Sequence, residues 1–200
     1  MVAFGPFEDF ELGLWCQVQA VNVESALLLT QAFAPGMRER GFGRVVFIVS
    51  NTFWRPPGPH MLAYVASKGA LIGMTHALAV GLGGHGIAVT AVAPGLTRTP
   101  ATGLVPAEEF EEIAARQALP RPLTPDDTAA VVAMLVGEDA AALTGQVLTV
   151  DGGLVMRQER ARRESGQGTP VRGSRSASPD GYVEGLGAWV LRGRRARGLA

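Results

Sequence analysis

The chain alternates short apolar runs with longer amphipathic stretches. Val45-Val46-Phe47-Ile48-Val49 is an unbroken apolar run that closes at Ser50. A run of this length without polar alternation reads as a strand buried on both faces. Ile87 to Ala93 repeats the pattern and ends at Pro94-Gly95, which cannot continue a sheet. A third run, Gln146 to Val150, ends at Asp151-Gly152-Gly153. Between these lie stretches with helical character. The first covers about 17–40, with Val18, Val21, Leu28, Ala32 and Phe33 near helical spacing. The second covers about 64–82. The third, about 107–118, opens with Glu108 and Glu109, and the fourth, about 125–136, has Thr124 as N-cap, Pro125 at the first helical position and then Asp126-Asp127. Helix–strand alternation predicts an α/β domain with a parallel sheet. In such sheets ligands bind beyond the carboxyl ends of the strands, where Ser50 stands.

One charged side chain changes this picture. Lys68 is the only lysine, and the other basic residues are 17 arginines. It follows Tyr64 by four residues, so on a helix the phenol and the ammonium share one face. A neighbouring cation favours phenolate and lowers a tyrosine pKa. The pair therefore has the chemistry of a general acid/base near neutral pH.

The order Asn22, Ser50, Tyr64, Lys68, Pro94-Gly95, Thr99 and Asp151-Gly152-Gly153 resembles a short-chain dehydrogenase/reductase over about residues 5–156. The resemblance implies part of a Rossmann-like, doubly wound parallel sheet, the C-terminal half of that domain, within residues 1–156. It implies hydride transfer between NAD or NADP and a carbonyl or secondary alcohol. Tyr64 would be the general acid/base, Ser50 would orient the carbonyl oxygen, and Lys68 would bind ribose and lower the Tyr64 pKa. Asn22 would complete the proton relay. Pro94, Gly95, Thr97 and Thr99 would hold the nicotinamide end of the cofactor. Family members usually form dimers or tetramers through the helices matching 17–40 and 64–82.

Substrate signals come from the segment after the serine. Asn51, Phe53 and Trp54 match a stretch that lines the substrate pocket in the family, and His60 lies just before Tyr64. The aromatics would suit an aryl or other apolar ketone, while the framework is also similar to reductases of 3-oxoacyl thioesters. The segment from about 100 to 123 would form the lid. His60, His76 and His85 have no ligand spacing, so no metal site is expected.

The family's opening strand and glycine-rich, pyrophosphate-binding turn have no counterpart before residue 17. The resemblance thus implies that roughly 85–95 residues of the usual domain are missing, through truncation, a misplaced start or degeneration. The strand at 44–50 would then expose an apolar edge and promote association. The alternative to an enzyme is an inactive remnant that pairs with intact relatives.

Composition adds a boundary. Residues 157–200 hold ten arginines and four acids, whereas residues 1–156 hold eight basic and fourteen acidic residues. The chain's zero net charge hides this split. Gly, Ser, Pro and Arg dominate the tail, a composition that reads as disordered. Clustered arginine can neutralise phosphate, but the abrupt change at the family's natural end fits a reading-frame error better, and no nucleic-acid partner is expected. A single cysteine, Cys16, excludes an internal disulfide and fits a reducing cytoplasm. No secretory signal and no run of 18 apolar residues stands out, so no membrane insertion is expected.

Overall fold

Seven of the eight residues of Ile87–Pro94 are buried, and this segment is the middle strand of a three-stranded parallel sheet. The structure, a computed structural model, describes residues 1–156. The tail expected to be disordered lies outside the described residues. The sheet runs β1 (Gly43–Ile48), β2 (Ile87–Pro94), β3 (Val147–Val150). Val45 pairs with Val89 and Ile48 with Val92; on the other side Ala91 pairs with Val147. This is the α/β parallel architecture the sequence predicts.

Successive strand residues point to opposite faces, and β2 uses both. Ile87, Val89, Ala91 and Ala93 join Phe47, Leu71, Ile72 and Leu82 in one core, while Val92 joins Leu135 and Ala140 in another. Helices α2 (Ser25–Arg40) and α3 (Leu62–Gly83) cover the first face, and α5 (Pro125–Val136) covers the second. The sheet is thus wound on both sides.

β1 departs from the expectation of burial on both faces. Only Gly43 and Phe47 are buried in it, and Ile48 is 45% exposed. Among the described residues no strand pairs with its outer edge, so its apolar side chains face a groove instead of a neighbour.

The first helical stretch begins earlier than residue 17. It comprises α1 (Leu12–Gln19), a π turn (Ala20–Glu24) and α2. Gly41 ends it in the left-handed conformation at φ 64°, and Arg38 and Arg40 lie in the last turn, beside the negative end of the helix dipole. α3 starts two residues before the predicted 64, after a 3₁₀ turn at Pro59–Met61. Its buried ridge is Ala63, Ser67, Leu71, Thr75 and Ala79, every fourth residue. Tyr64 and Lys68 lie one position round from that ridge. α4 (Ala107–Ala115) is three residues shorter than its pattern, and α5 matches its prediction. A capping box between Thr124 and Asp127 fixes the start of α5.

Leu12–Arg40 and Pro59–Gly83 are long and apolar enough to cross a membrane by length and composition. α2 packs on β1 and α3 packs on β2.

Candidate active site

Ser50 follows β1 in extended backbone (φ −161°, ψ 148°) and caps the 3₁₀ turn Asn51–Phe53. Its Oγ accepts from the Thr52 amide at 3.2 Å and from Thr52 Oγ1 at 3.0 Å. Tyr64 and Lys68 occupy the first two turns of α3 and are both half-buried. Lys68 Nζ lies 5.4 Å from the centroid of the Tyr64 ring. Ser50, Tyr64 and Lys68 therefore meet at the carboxyl end of β1, as the sequence predicts.

The electrostatics differ from the expectation. Burial pushes the Tyr64 phenol above its ordinary value, and the Ser50 hydroxyl beside it pulls the other way without prevailing. Lys68 does not hold the phenol down in this geometry. Its Nζ donates to the Ile48 carbonyl at 2.9 Å, and burial lowers its own pKa. Removing a phenolate and an ammonium from water disfavours both charged forms, and here desolvation outweighs the attraction inferred from the i, i+4 spacing.

Asn22 sits in the π turn and is buried. Its Nδ2 donates to Ser67 Oγ and to the Met1 carbonyl, each at 2.9 Å, and its Oδ1 accepts from the Met1 amino group at 2.7 Å. Ser67 Oγ in turn donates to the Tyr64 carbonyl at 2.7 Å. Such one-turn π bulges recur at functional sites because they re-aim a side chain out of the α pattern. Ser67, fully buried between Tyr64 and Lys68, is missing from the sequence reading. Its place on the small-residue ridge of α3 was the available signal.

The loop after β2 is held by hydroxyl groups. Gly95 N donates to the Val150 carbonyl at 2.9 Å, and Thr97 Oγ1 donates to the Gly95 carbonyl at 3.1 Å. Thr99 caps the 3₁₀ turn Pro100–Thr102, and Thr102 Oγ1 accepts from the Thr99 amide at 2.9 Å and donates to the Thr97 carbonyl at 2.8 Å. Thr102 is a second residue the sequence reading missed.

Three of the four expected substrate-lining residues are turned to other uses. Asn51 is buried and its Nδ2 donates to Asp151 Oδ2 at 3.2 Å. The Phe53 ring packs on Gly69 of α3, where a β-carbon would fall 2.8 Å from its Cε2 atom. Trp54 meets Phe53 edge-on at 5.4 Å and packs against the main core. Trp54 thus finds the nearby core, while Phe53 stays 41% exposed. His60 is exposed and stacks on Phe4, with ring centroids 6.1 Å apart.

A groove of about 380 Å³ runs along the outer edge of β1, bordered by Asn22, Leu29, Phe33, Val46, Ile48 and Lys68. The Lys68 ammonium and the Ser50 hydroxyl lie at the carboxyl end of β1, and Thr97 and Thr99 follow the carboxyl end of β2. The described residues contain no glycine-rich strand-to-helix turn for the pyrophosphate. Among the described residues no group of three or more His, Cys, Asp or Glu side chains could hold a metal.

The open α/β sheet carries Ser50, Tyr64 and Lys68 at the carboxyl end of β1. The family model described as enoyl-(acyl carrier protein) reductase matches residues 1–155. Human dehydrogenase/reductase SDR family member 4 is 36% identical over 152 residues, covering 75% of this chain and 54% of the relative. Human (3R)-3-hydroxyacyl-CoA dehydrogenase is 35% identical, covering 71% of this chain and 54% of the relative. The structure of a gluconate 5-dehydrogenase from Burkholderia cenocepacia J2315, in complex with NADP and tartrate, superposes with a TM-score of 0.72 at 26% identity, covering 77% of this chain and 61% of that one. The chain belongs to the short-chain dehydrogenase/reductase family, and it spans about half the length of these curated relatives.

Proposed function

We propose that residues 1–156 carry the catalytic half of an NAD(P)-dependent oxidoreductase that interconverts a ketone and a secondary alcohol. The observation that carries this reading is the meeting of Ser50, Tyr64 and Lys68 at the carboxyl end of β1, in a chain whose family is that of dehydrogenases and reductases. When bound, the nicotinamide supplies or accepts the hydride. In the reducing direction Tyr64 gives its phenolic proton to the carbonyl oxygen, and its raised pKa keeps that proton in place at neutral pH. Ser50 donates a hydrogen bond to the same oxygen as charge develops there. Lys68 would bind the ribose hydroxyls of the cofactor. Asn22 would complete a proton relay behind Lys68, while its amide bonds to Ser67 Oγ and the Met1 carbonyl fix its side chain. Pro94, Gly95, Thr97 and Thr99 hold the nicotinamide end.

Trp54 packs against the main core, whereas Phe53 is 41% exposed and keeps an apolar or aryl ketone among the substrates to assay. A 3-oxoacyl thioester is the substrate to assay first, since one relative is named a 3-hydroxyacyl-CoA dehydrogenase. The exposed thiol of Cys16 fits a reducing cytoplasm. The test is turnover of NADH or NADPH with 3-oxoacyl thioesters and apolar ketones, in wild type, Tyr64→Phe and Lys68→Met. Turnover lost in both variants supports the assignment; turnover that survives both removes it.

A second reading has its own observation. Val21, Leu28, Leu29 and Phe33 are all more than half exposed on the long N-terminal helix, beside the unpaired edge of β1. In this reading the chain assembles with copies of itself or with intact relatives through α2 and α3. Light scattering across a concentration series tests it, and a monomer at all concentrations rejects it.

A further inference from the structure

Asp151 is a buried carboxylate, 2% exposed, that the proposed chemistry does not use. It stands just beyond β3, where three loops converge. Three amide N–H groups donate to it. Gly153 N reaches Oδ1 at 3.1 Å, while Val155 N at 3.0 Å and Asn51 Nδ2 at 3.2 Å share Oδ2. The first two close the Gly152-Gly153 turn. The third crosses one hundred residues of sequence to the turn that holds Ser50.

The loop after β2 is pressed onto the same residue. A β-carbon on Gly95 would fall 2.9 Å from Asp151 Cβ and 3.1 Å from its Cα. No side chain fits between them, so the Pro94-Gly95 backbone lies directly on Asp151. A charged hydrogen-bond acceptor makes bonds stronger than neutral ones, and a buried carboxylate left short of a donor is strongly penalised. The arrangement therefore resists any displacement of Asn51.

Asn51 transmits this to Ser50. It is the first residue of the 3₁₀ turn that Ser50 caps, and its carbonyl accepts from Trp54 N and Arg55 N at 3.1 Å each. With the Asn51 side chain pinned, the Ser50 hydroxyl has a fixed position relative to Tyr64. We propose that Asp151 is a positioning residue that ties the loops after all three strands into one platform and sets the Ser50 hydroxyl through Asn51. The role of that hydroxyl in catalysis rests on the proposed function, whereas the positioning itself does not.

The experiment is amide hydrogen exchange on the full chain in wild type, Asp151→Asn and Asn51→Ala, with steady-state kinetics in parallel. Asn51→Ala leaves both backbone bonds to Asp151 in place, so it serves if Asp151→Asn fails to fold. The expected result is exchange at Thr52–Arg55 faster by about tenfold or more in either variant, with Val89–Ala93 of β2 unchanged, as for a local opening. In the kinetics, kcat falls while the KM for cofactor stays, and Asp151→Asn adds nothing in a Ser50→Ala background. Unchanged exchange at Thr52–Arg55, or acceleration spread evenly through β2, overturns the proposal. A local exchange effect in a chain without turnover keeps the positioning and removes the oxidoreductase reading.

Discussion

Lys68 Nζ donates to the carbonyl oxygen of Ile48 at 2.9 Å, so the chain's single lysine is spent on the unpaired edge of β1. Burial, meanwhile, holds the Tyr64 phenol above its ordinary value. Lys68→Met exchanges a half-buried ammonium for an apolar side chain of similar length. The exchange loses one hydrogen bond and removes a desolvation penalty, and each is on the order of 1 kcal/mol. The variant should match wild type in stability to within about 1 kcal/mol at neutral pH while losing cofactor binding. Denaturant unfolding followed by Trp fluorescence checks this. The pH dependence has a definite sign. A lysine with a depressed folded-state pKa binds fewer protons when folded than when unfolded, so wild type gains stability as pH rises between the two values. Lys68→Met should lack that gain.

Tyr64 gives the second prediction. Because burial raises its pKa, the phenol stays protonated through neutral pH. Carbonyl reduction should be flat in rate from mildly acidic to mildly alkaline solution. Alcohol oxidation, which needs the phenolate, should climb with pH across the same range. Tyr64→Phe should lower kcat by about two to four orders of magnitude in both directions. Initial rates in each direction across a pH series decide the matter; an oxidation rate that levels off near neutrality points to a lowered phenol pKa.

The contact between Phe53 and Gly69 predicts a coupled effect. Glycine inside a helix is unfavourable relative to alanine by about 1 kcal/mol. Gly69→Ala should recover that alone, yet its β-carbon meets the Phe53 ring at 2.8 Å and the ring must move. The single change should be close to neutral. In a Phe53→Ala background, Gly69→Ala should stabilise by roughly 1 kcal/mol, and a double-mutant cycle on thermal unfolding reads the difference.

The start of α5 supplies a test of local structure away from the site. Asp127 accepts from the Thr124 amide and from both terminal nitrogens of Arg121, and these partners hold its carboxyl well below the usual carboxylate range. A depressed carboxylate contributes stability that is present above its ordinary pKa and is lost as pH falls toward the folded-state value. Thr124→Ala removes one half of the capping box and should destabilise by about 1 kcal/mol. Acid titrations of wild type and Asp127→Asn should converge below the ordinary carboxylate range, as wild type loses the advantage it held above it.

The strands and the Ser50–Tyr64–Lys68 set were legible because each rests on a local pattern. Unbroken apolar runs read as strands, though β1 is not buried on both faces, and an i, i+4 pair has one geometry on a helix. The long-range choices left no such pattern. Nothing near Asn51 announces Asp151, one hundred residues on, and the contact of the Phe53 ring with Gly69 shows only once both are seen together. The π turn at Asn22 escaped for a related reason, since one extra residue in a helical turn barely disturbs the hydrophobic period around it. The raised Tyr64 pKa was missed because spacing reports which charges are near and says nothing of how much water surrounds them.

The central claim is that residues 1–156 hold a usable nicotinamide site built around Lys68. Titration of the purified chain with NADH and NADPH, followed by cofactor fluorescence and melting temperature, tests it most directly. The account predicts saturable binding with a raised melting temperature, abolished in Lys68→Met. Absence of saturable binding by a chain that unfolds cooperatively, or binding that Lys68→Met leaves unchanged, would contradict it.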